Sequence, residues 1–204
     1  MARLIRSAAD SKLLLWALLS LPALTMIRTY LTDPAIWPGD LLHPSGEWSA
    51  RLIILALMLT PLSIVFAGQR WVAWLIRRRR AFGVAGFGYA LLHLFFYLID
   101  METVRNVLAE IGALGIWTGW AALLLFLPLA LTSNDASMRA LKASWKRLQR
   151  LAYPAALLTL LHWMFVHDNF AAALLNFAPL ALLQGWRIIH ATRLRIARRA
   201  PQFS

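Results

Sequence analysis

Two histidines lie inside otherwise apolar stretches of the sequence. His93 occurs in "GYALLHLFFYLID" (88–100) and His162 in "LLTLLHW" (157–163). Burying an imidazole costs free energy unless its ring nitrogens are hydrogen-bonded or bind a metal. Neutral imidazole is a common ligand of zinc and of haem iron. Either histidine could instead hydrogen-bond to the other one or to a nearby carbonyl, so a metal site and a purely structural contact are both open at this point.

The elements that must position these histidines are expected to be membrane-spanning helices. The 204 residues are 60% hydrophobic and 15% charged, with a mean hydropathy of +0.61, which is atypical of soluble domains. Apolar stretches of suitable length lie at about 13–31, 52–68, 81–99, 112–132, 151–166 and 170–186. We therefore predict an all-α polytopic bundle of six transmembrane helices, a single domain over residues 1–204 that ends in a basic tail (187–204).

The distribution of positive charge predicts the orientation. All but three lysines and arginines lie on one side of the six stretches; the exceptions are Arg28, Arg51 and Arg105. Because positively charged loops remain in the cytoplasm, both termini are expected to be cytoplasmic. The arginine run 77–80 and the basic tail then lie where they can contact anionic lipid headgroups. This placement argues against a nucleic-acid site.

The two histidines are predicted to lie at similar depth. His93 comes about twelve residues after the inner end of the third stretch, and His162 about eleven residues after the inner end of the fifth. At about 1.5 Å of rise per residue, both lie in the outer half of the bilayer. The third and fifth helices run in the same direction, so the two rings can approach one point from two sides.

Haem iron matches this pair better than the other possibilities. Zinc needs further ligands, and a proton relay needs carboxylates, but the six stretches contain neither Asp nor Glu. The sequence has no cysteine, which excludes iron–sulfur clusters and thiolate-bound haem. Two axial imidazoles satisfy a haem iron. We expect one b-type haem on the outer side, with His93 and His162 as its iron ligands, moving electrons rather than making bonds.

Other residues are expected to complete this haem site. Small residues before His93 could let a flat ring approach the third helix; these are Gly83, Gly86, Gly88 and Ala90. The propionates need cationic or hydrogen-bonding partners near the outer surface. We predict Arg51, at the start of the second stretch, as one such contact.

Several motifs resemble those of a known family in their order and spacing. They are "HPSGEWSARLIILALMLTPL" (43–62), "RRRRAFGVAGFGYALLHLFFY" (77–97), "LLLFLPLALTSNDASMRALKASWKRLQRLAY" (123–153) and "LLTLLHW" (157–163). This order is similar to the MsrQ (YedZ) family, which belongs to the ferric-reductase-like transmembrane group. The resemblance covers about residues 40–190. It implies a six-helix b-type cytochrome of the bacterial inner membrane, with His93 and His162 at the haem-ligand positions.

The resemblance also implies partners for the chain. Electrons would come from the quinol pool or from a cytosolic flavin reductase. They would pass to a periplasmic, MsrP-like molybdopterin enzyme that reduces methionine sulfoxide, so the chain itself is not expected to hold the substrate-reducing site. FMN is a further cofactor that the family implies, although the sequence contains no Gly-rich phosphate loop.

One position departs from the family pattern. Gln149, in "WKRLQRLAY", stands where family members carry a histidine, and arginines occupy 77–80 at the inner end of the third stretch. Neither a carboxamide nor a guanidinium is a good ligand for haem iron, so no inner haem is expected. Gln149 and Arg80 are instead predicted to hydrogen-bond to a quinol at an inner site.

Other functions stay open on the sequence alone. The chain could be a paralogous haem cytochrome that serves another periplasmic oxidoreductase. It could be a small transporter whose histidines bind protons or a transition metal, although the absence of carboxylates from the stretches argues against this. It could also be an assembly subunit without a cofactor.

Overall fold

The computed structural model describes residues 11–167 and 170–199, and these residues form helices and no strands. The helices are α1 (Lys12–Thr32), a short 3-10 helix (Pro38–Leu41), α2 (Leu42–Val65), α3 (Arg70–Asp100), α4 (Val104–Glu110), α5 (Leu114–Leu131), α6 (Asp135–Gln149), α7 (Ala152–His167) and α8 (Phe170–Arg199). Apolar segments in a bilayer adopt helices because every backbone N–H and C=O can then be paired within the segment. The predicted all-α fold is confirmed.

Five segments of the described chain are long and apolar enough to cross a membrane. They are Lys12–Thr32, Pro38–Val65, Arg70–Asp100, Leu114–Leu131 and Phe170–Ile196. The remaining expected span is the fifth along the chain, α7, which has 16 residues. At about 1.5 Å per residue it is roughly 24 Å long, somewhat less than a bilayer core of about 30 Å. Six spans and cytoplasmic termini therefore stay a prediction, and Arg3 and Arg6, which contributed to it, lie outside the described residues.

The second helix begins earlier than predicted. α2 starts at Leu42 rather than at 52, so Arg51 lies in its third turn and does not open the helix. Pro44 is tolerated because it lies in the first turn, where its missing N–H removes no helical hydrogen bond. The polar residues near this end concealed the helix from an analysis based on hydropathy.

Two other helices extend beyond the apolar stretches that predicted them. α3 begins at Arg70 and includes the arginine run 77–80, and α8 continues through the first part of the basic tail to Arg199. Arginine is a good helix former. Hydropathy therefore located the part of each helix that suits the bilayer core, whereas the helix itself is longer.

The helices that carry the two histidines belong to different packing units. α3 packs mainly against α2, and α7 mainly against α5, while α8 packs against α2 and α7. Ala155 of α7 and Ala173 of α8 are completely buried. Apolar burial does little to hold helices together in lipid, so close contact through small residues matters more. The α2–α3 and α5–α7 units face each other, and each carries one histidine.

A proline in α2 explains a polar side chain in the apolar core. Pro61 has no N–H, so the Leu57 carbonyl lacks its usual helical donor. Gln184 of α8 donates from Nε2 to that carbonyl at 3.1 Å. The amide therefore joins α8 to α2 at the point where α2 lost a hydrogen bond.

A tyrosine of α3 inserts its hydroxyl into the backbone of α1. The hydroxyl of Tyr89 on α3 accepts from the Ala23 backbone N–H at 3.0 Å and donates to the Leu19 carbonyl at 2.8 Å. It thus lies within the hydrogen-bond ladder of α1, next to Pro22. These two hydrogen bonds hold α1 against α3, the helix that carries His93.

Candidate functional site

The structure brings His93 and His162 together. Their ring centroids lie 5.8 Å apart and the rings are nearly perpendicular, at 85°. Imidazole nitrogens bind metal ions at about 2.0–2.1 Å, so two imidazoles on opposite sides of one ion have centroids about 6 Å apart when the ring radii are included. The observed separation is close to the value that one shared metal ion requires.

Each imidazole ring is hydrogen-bonded through its Nδ1 to a backbone carbonyl. His93 Nδ1 lies 2.9 Å from the Leu42 carbonyl oxygen, and His162 Nδ1 lies 2.7 Å from that of Gly115. A carbonyl oxygen can only accept, so each Nδ1 donates, and the neutral ring carries its lone pair on Nε2. Histidines that bind metals are usually oriented by such a bond from the second ring nitrogen.

The two carbonyls belong to matching local arrangements. Three residues after Leu42, the Ser45 hydroxyl lies 3.0 Å from its carbonyl oxygen, and three residues after Gly115 the Thr118 hydroxyl lies 2.8 Å from that carbonyl. Both hydroxyl residues are completely buried. We call the Leu42 carbonyl with the Ser45 hydroxyl the α2 cradle, and the Gly115 carbonyl with the Thr118 hydroxyl the α5 cradle.

A glycine completes each cradle. Gly46 follows Ser45 and lies against His93, where an added Cβ would be 3.2 Å from Nδ1; Gly119 follows Thr118 and lies against His162, where an added Cβ would be 2.6 Å from Nδ1. Each ring can therefore lie directly against the backbone of the helix that accepts its hydrogen bond.

A cavity of about 110 Å³ adjoins both rings and lies between the α2–α3 and α5–α7 units. Apolar and aromatic side chains form most of its wall; among the described residues its lining includes Ala90, Leu94, Tyr97, Ile116, Trp120, Leu123 and Phe126. The Tyr97 hydroxyl is buried without a hydrogen-bond partner among the described residues. Two imidazoles, an apolar wall and an unused hydroxyl fit a flat apolar metal complex. A complete macrocycle is larger than this cavity, so its binding would require the facing side chains of α3 and α5 to move apart.

The structure does not place Arg51 at this cavity. Its side chain donates from Nη2 to Glu47 at 2.9 Å and from Nε to Asn176 of α8 at 3.3 Å. About half of its surface is exposed, and it is absent from the described lining of the cavity. Its role as a propionate contact stays a prediction, and these contacts do not favour it.

Of the small residues expected to let a flat ring approach α3, only some lie at the histidine cavity. Ala90 lines the cavity between the histidines, but Gly86 packs against Ile53 of α2, where an added Cβ would come within 2.9 Å of the Ile53 side chain. No side chain lies near Gly88, and Gly83 lines a second cavity. The glycines that do lie against the histidines are on α2 and α5.

The second cavity, of about 520 Å³, contains the residues predicted for the inner site. Its described lining includes Gln149 and six cationic residues: Arg77, Arg79, Arg80, Lys146, Arg150 and Arg187. Gln149 donates from Nε2 towards the Leu129 carbonyl at 3.2 Å and the Thr132 hydroxyl at 3.3 Å. Phe126 lines both cavities, so the basic cavity and the histidine cavity meet at this side chain.

Arg80 also has partners outside the basic cavity. Its Nη1 lies 2.5 Å from Asp135 Oδ1, and its Nη2 lies 2.8 Å from the Met138 sulfur. The hydrogen bond and the charge of Arg80 hold the pKa of the Asp135 carboxyl below its usual value. The contact joins the arginine run of α3 to the start of α6.

The other histidines lie outside this site. His43 Nε2 lies 3.5 Å from Glu47 Oε1, and His190 stacks on Trp186 with ring centroids 5.1 Å apart. The side chain of His167 lies outside the described part. Among the described residues, no group of three His, Cys, Asp or Glu side chains converges to hold a metal ion.

The two cradles and Tyr97 were not predicted from the sequence. The dipeptides Ser45-Gly46 and Thr118-Gly119 each place a hydroxyl beside a glycine in an apolar helix, and Gly115-x-x-x-Gly119 is the spacing that lets two membrane helices pack closely. These signals could have drawn attention to the second and fourth stretches. Which helix face they occupy could not be read from them.

Comparison with known proteins identifies the family. Residues 45–160 match the family described as "Ferric reductase like transmembrane component". The match includes His93 and ends two residues before His162. No solved structure matches the chain.

Curated relatives cover most of the chain. A protein of Xanthomonas campestris pv. campestris (strain 8004) is 40% identical over 74% of this chain and 69% of its own length. One from Rhizobium meliloti (strain 1021) is 34% identical over 89% of this chain and 86% of its own length. Both are named "Protein-methionine-sulfoxide reductase heme-binding subunit MsrQ". The chain therefore belongs to the ferric-reductase-like transmembrane family and, within it, to the MsrQ subunits.

Proposed function

We propose that this chain is a membrane electron-transfer subunit that holds one b-type haem between His93 and His162. The observation that carries the proposal is the pair of imidazoles, 5.8 Å apart, each donating its Nδ1 proton to a carbonyl of a different helix. The names of the relatives agree with it, since they describe heme-binding subunits. A haem with two imidazole ligands supplies one-electron redox chemistry and leaves no open position for a substrate.

The residues of this chain have separate tasks in the proposed site. The α2 and α5 cradles keep the proton of each imidazole on Nδ1 and hold the rings in place. The apolar side chains of the cavity exclude water, which limits the reorganisation that accompanies a change of charge. The α2–α3 and α5–α7 units each contribute one ligand, so the haem would also link the two units.

The basic cavity is the proposed entry point for electrons. It shares the lining residue Phe126 with the histidine cavity. Its lining combines apolar side chains with Gln149, Arg80 and other hydrogen-bond donors. We propose that a quinol binds there, with these donors on its oxygens. A cytosolic flavin reductase is the other donor that the family implies, and the cationic lining also suits the phosphate of FMN.

The proposed acceptor is a periplasmic molybdopterin enzyme of the MsrP type that reduces methionine sulfoxide in proteins. The relatives' names support a partner in methionine sulfoxide reduction, since they name subunits of a protein-methionine-sulfoxide reductase. The periplasmic, MsrP-type identity of the partner is what the resemblance to the MsrQ family implies. The basic cavity marks the end of the bundle that would face the cytoplasm. The protein would then lie in the bacterial inner membrane with its histidine cavity closer to the periplasm.

The visible spectrum of the purified protein tests the proposal directly. The full chain, expressed in haem-replete cells and purified in detergent, should show a Soret band, with sharp α and β bands after reduction by dithionite. His93→Ala and His162→Ala should each abolish the six-coordinate spectrum. His190→Gln is the matched control, because His190 stacks on Trp186 away from the cavity, and it should leave the spectrum unchanged.

The same measurement can reject the proposal. A stable but colourless wild-type preparation from haem-replete cells would exclude a haem protein. A six-coordinate spectrum that survives both alanine substitutions would show that other residues bind the iron.

A further inference from the structure

Tyr97 has a buried hydroxyl that the fold does not use. It lies one helical turn after His93 on α3 and lines the same cavity. Its ring packs edge to face with Trp120 of α5, with centroids 6.4 Å apart. The hydroxyl is buried and has no hydrogen-bond partner in the described part of the chain. Leaving such a buried donor unpaired is unfavourable, so its position calls for an acceptor.

The other hydroxyls on the cavity wall are already paired. Ser49 donates to the Gly86 carbonyl at 2.9 Å, and Thr159 donates to the Ala155 carbonyl at 2.9 Å. Both bonds are made to the backbone of helices in the bundle. Within the described lining, Tyr97 is thus the hydroxyl whose proton remains for a molecule bound in the cavity.

We infer that Tyr97 donates a hydrogen bond to a propionate of the haem. This inference rests on the proposed function. The pyrrole nitrogens of a haem are bound to iron, and its edge carries methyl and vinyl groups and two propionates, so the carboxylates are the acceptors that it offers. Tyr97 lies about 6 Å, one helical turn, from His93 towards the end of α3 that is remote from the arginines. The propionates therefore point away from the basic cavity.

The propionate partner inferred here is the Tyr97 hydroxyl rather than the Arg51 guanidinium predicted from the sequence. Arg51, the contact predicted from sequence, is held by Glu47 and Asn176, whereas the Tyr97 hydroxyl is in the cavity wall. A hydrogen bond to a charged group is stronger than one between two neutral groups. Tyr97 is a positioning residue in this account, because it acts on the edge of the cofactor and leaves the iron ligands unchanged.

The experiment compares Tyr97→Phe with wild type, using haem and iron etioporphyrin. The second compound has the same ring and iron but ethyl groups in place of propionates. Full-length apoprotein from haem-deficient cells is reconstituted with each compound, and dissociation rate and midpoint potential are measured. With haem, Tyr97→Phe should raise the dissociation rate about tenfold or more. It should also lower the potential, because the unpaired carboxylate favours ferric iron. With iron etioporphyrin, variant and wild type should agree.

The control is Tyr89→Phe, eight residues earlier on α3. The Tyr89 hydroxyl bonds to the backbone of α1 and does not line the histidine cavity. This variant should change neither quantity with either compound. The hydrogen bond can also be tested on the wild-type protein by vibrational spectroscopy. The carboxylate vibration of the bound haem should shift when H₂O is exchanged for D₂O, because the carboxylate accepts a hydrogen bond from an exchangeable O–H.

Other outcomes would reject either the hydrogen bond from Tyr97 or the proposed haem site itself. An equal effect of Tyr97→Phe with both compounds assigns the change to packing and rejects the hydrogen bond. No effect with haem, or no isotope shift, rejects it as well. If wild type binds haem normally and only these results fail, the inference is wrong and the proposed function stands. If wild type binds no haem, both are wrong.

Discussion

Gly119 lies directly against the imidazole of His162. A Cβ at this position would come within 2.6 Å of Nδ1 and 2.8 Å of Cε1, closer than side-chain carbons approach other atoms. The ring occupies this space because its Nδ1 donates to the carbonyl of Gly115, one turn earlier on the same helix. A glycine is therefore required for the hydrogen bond that sets the tautomer of His162.

Gly119→Ala should weaken haem binding roughly tenfold, because overpacking of a close contact costs about 1–3 kcal/mol and here displaces a proposed ligand. The loss is measured as the ratio of haem to protein after purification. Gly88→Ala is the matched control on α3, since nothing lies near a Cβ at that position. It should leave the haem content unchanged and raise thermal stability slightly, because alanine favours helix. Equal haem content in both variants would contradict the role of the α5 cradle.

Gln149→Ala and Arg80→Ala should each slow the reduction of the haem by a water-soluble quinol about tenfold, since each removes a proposed hydrogen bond to the quinol. Reduction by dithionite should be unaffected. Arg78→Ala serves as the control, because Arg78 stacks on Trp74 at 3.9 Å and is not part of the described lining of the basic cavity. If quinol reduces both test variants at the wild-type rate, the inner quinol site is wrong.

Gln184→Leu should destabilise the protein by about 1–3 kcal/mol, because the Leu57 carbonyl loses its donor in the apolar core. The cost should be smaller when Pro61 is replaced by alanine, since the new N–H at 61 can donate to the same carbonyl. A double-mutant cycle of thermal stabilities in detergent measures this coupling. Additive effects of Pro61→Ala and Gln184→Leu would show that the two residues do not act on one carbonyl.

Asp135→Asn should remove a small, pH-dependent contribution to stability. Arg80 lowers the pKa of Asp135 in the folded protein below 3.8, so the ion pair stabilises the fold fully at pH values above 3.8. The contribution is lost as pH falls through the lowered pKa, because the carboxyl is then protonated. Wild type should have the higher Tm at pH 7, and the difference should shrink in strong acid. A difference that is the same at both pH values would exclude the ion pair as its source.

Much of the helical organisation followed from the sequence. The apolar stretches located the membrane-compatible part of each helix, and α5 came within two residues of its predicted bounds. The similar depth of His93 and His162 also followed from the sequence, since rise along a helix depends only on residue number. Where polar residues continue a helix, as from Leu42 to Arg51 and through the arginine run 77–80, hydropathy could not find its ends.

What the tertiary structure decided is which way each helix faces. Hydropathy gives a residue's depth in the bilayer but not its angle around the helix axis, because lipid and neighbouring helices are equally apolar. Packing therefore determined that Gly46 and Gly119, rather than Gly86 or Gly88, lie against the imidazoles, and that Arg51 turns towards α8. The sequence supplied two histidines at one depth. The orientation of α2, α3, α5 and α7 about their axes brings the two imidazoles to one cavity.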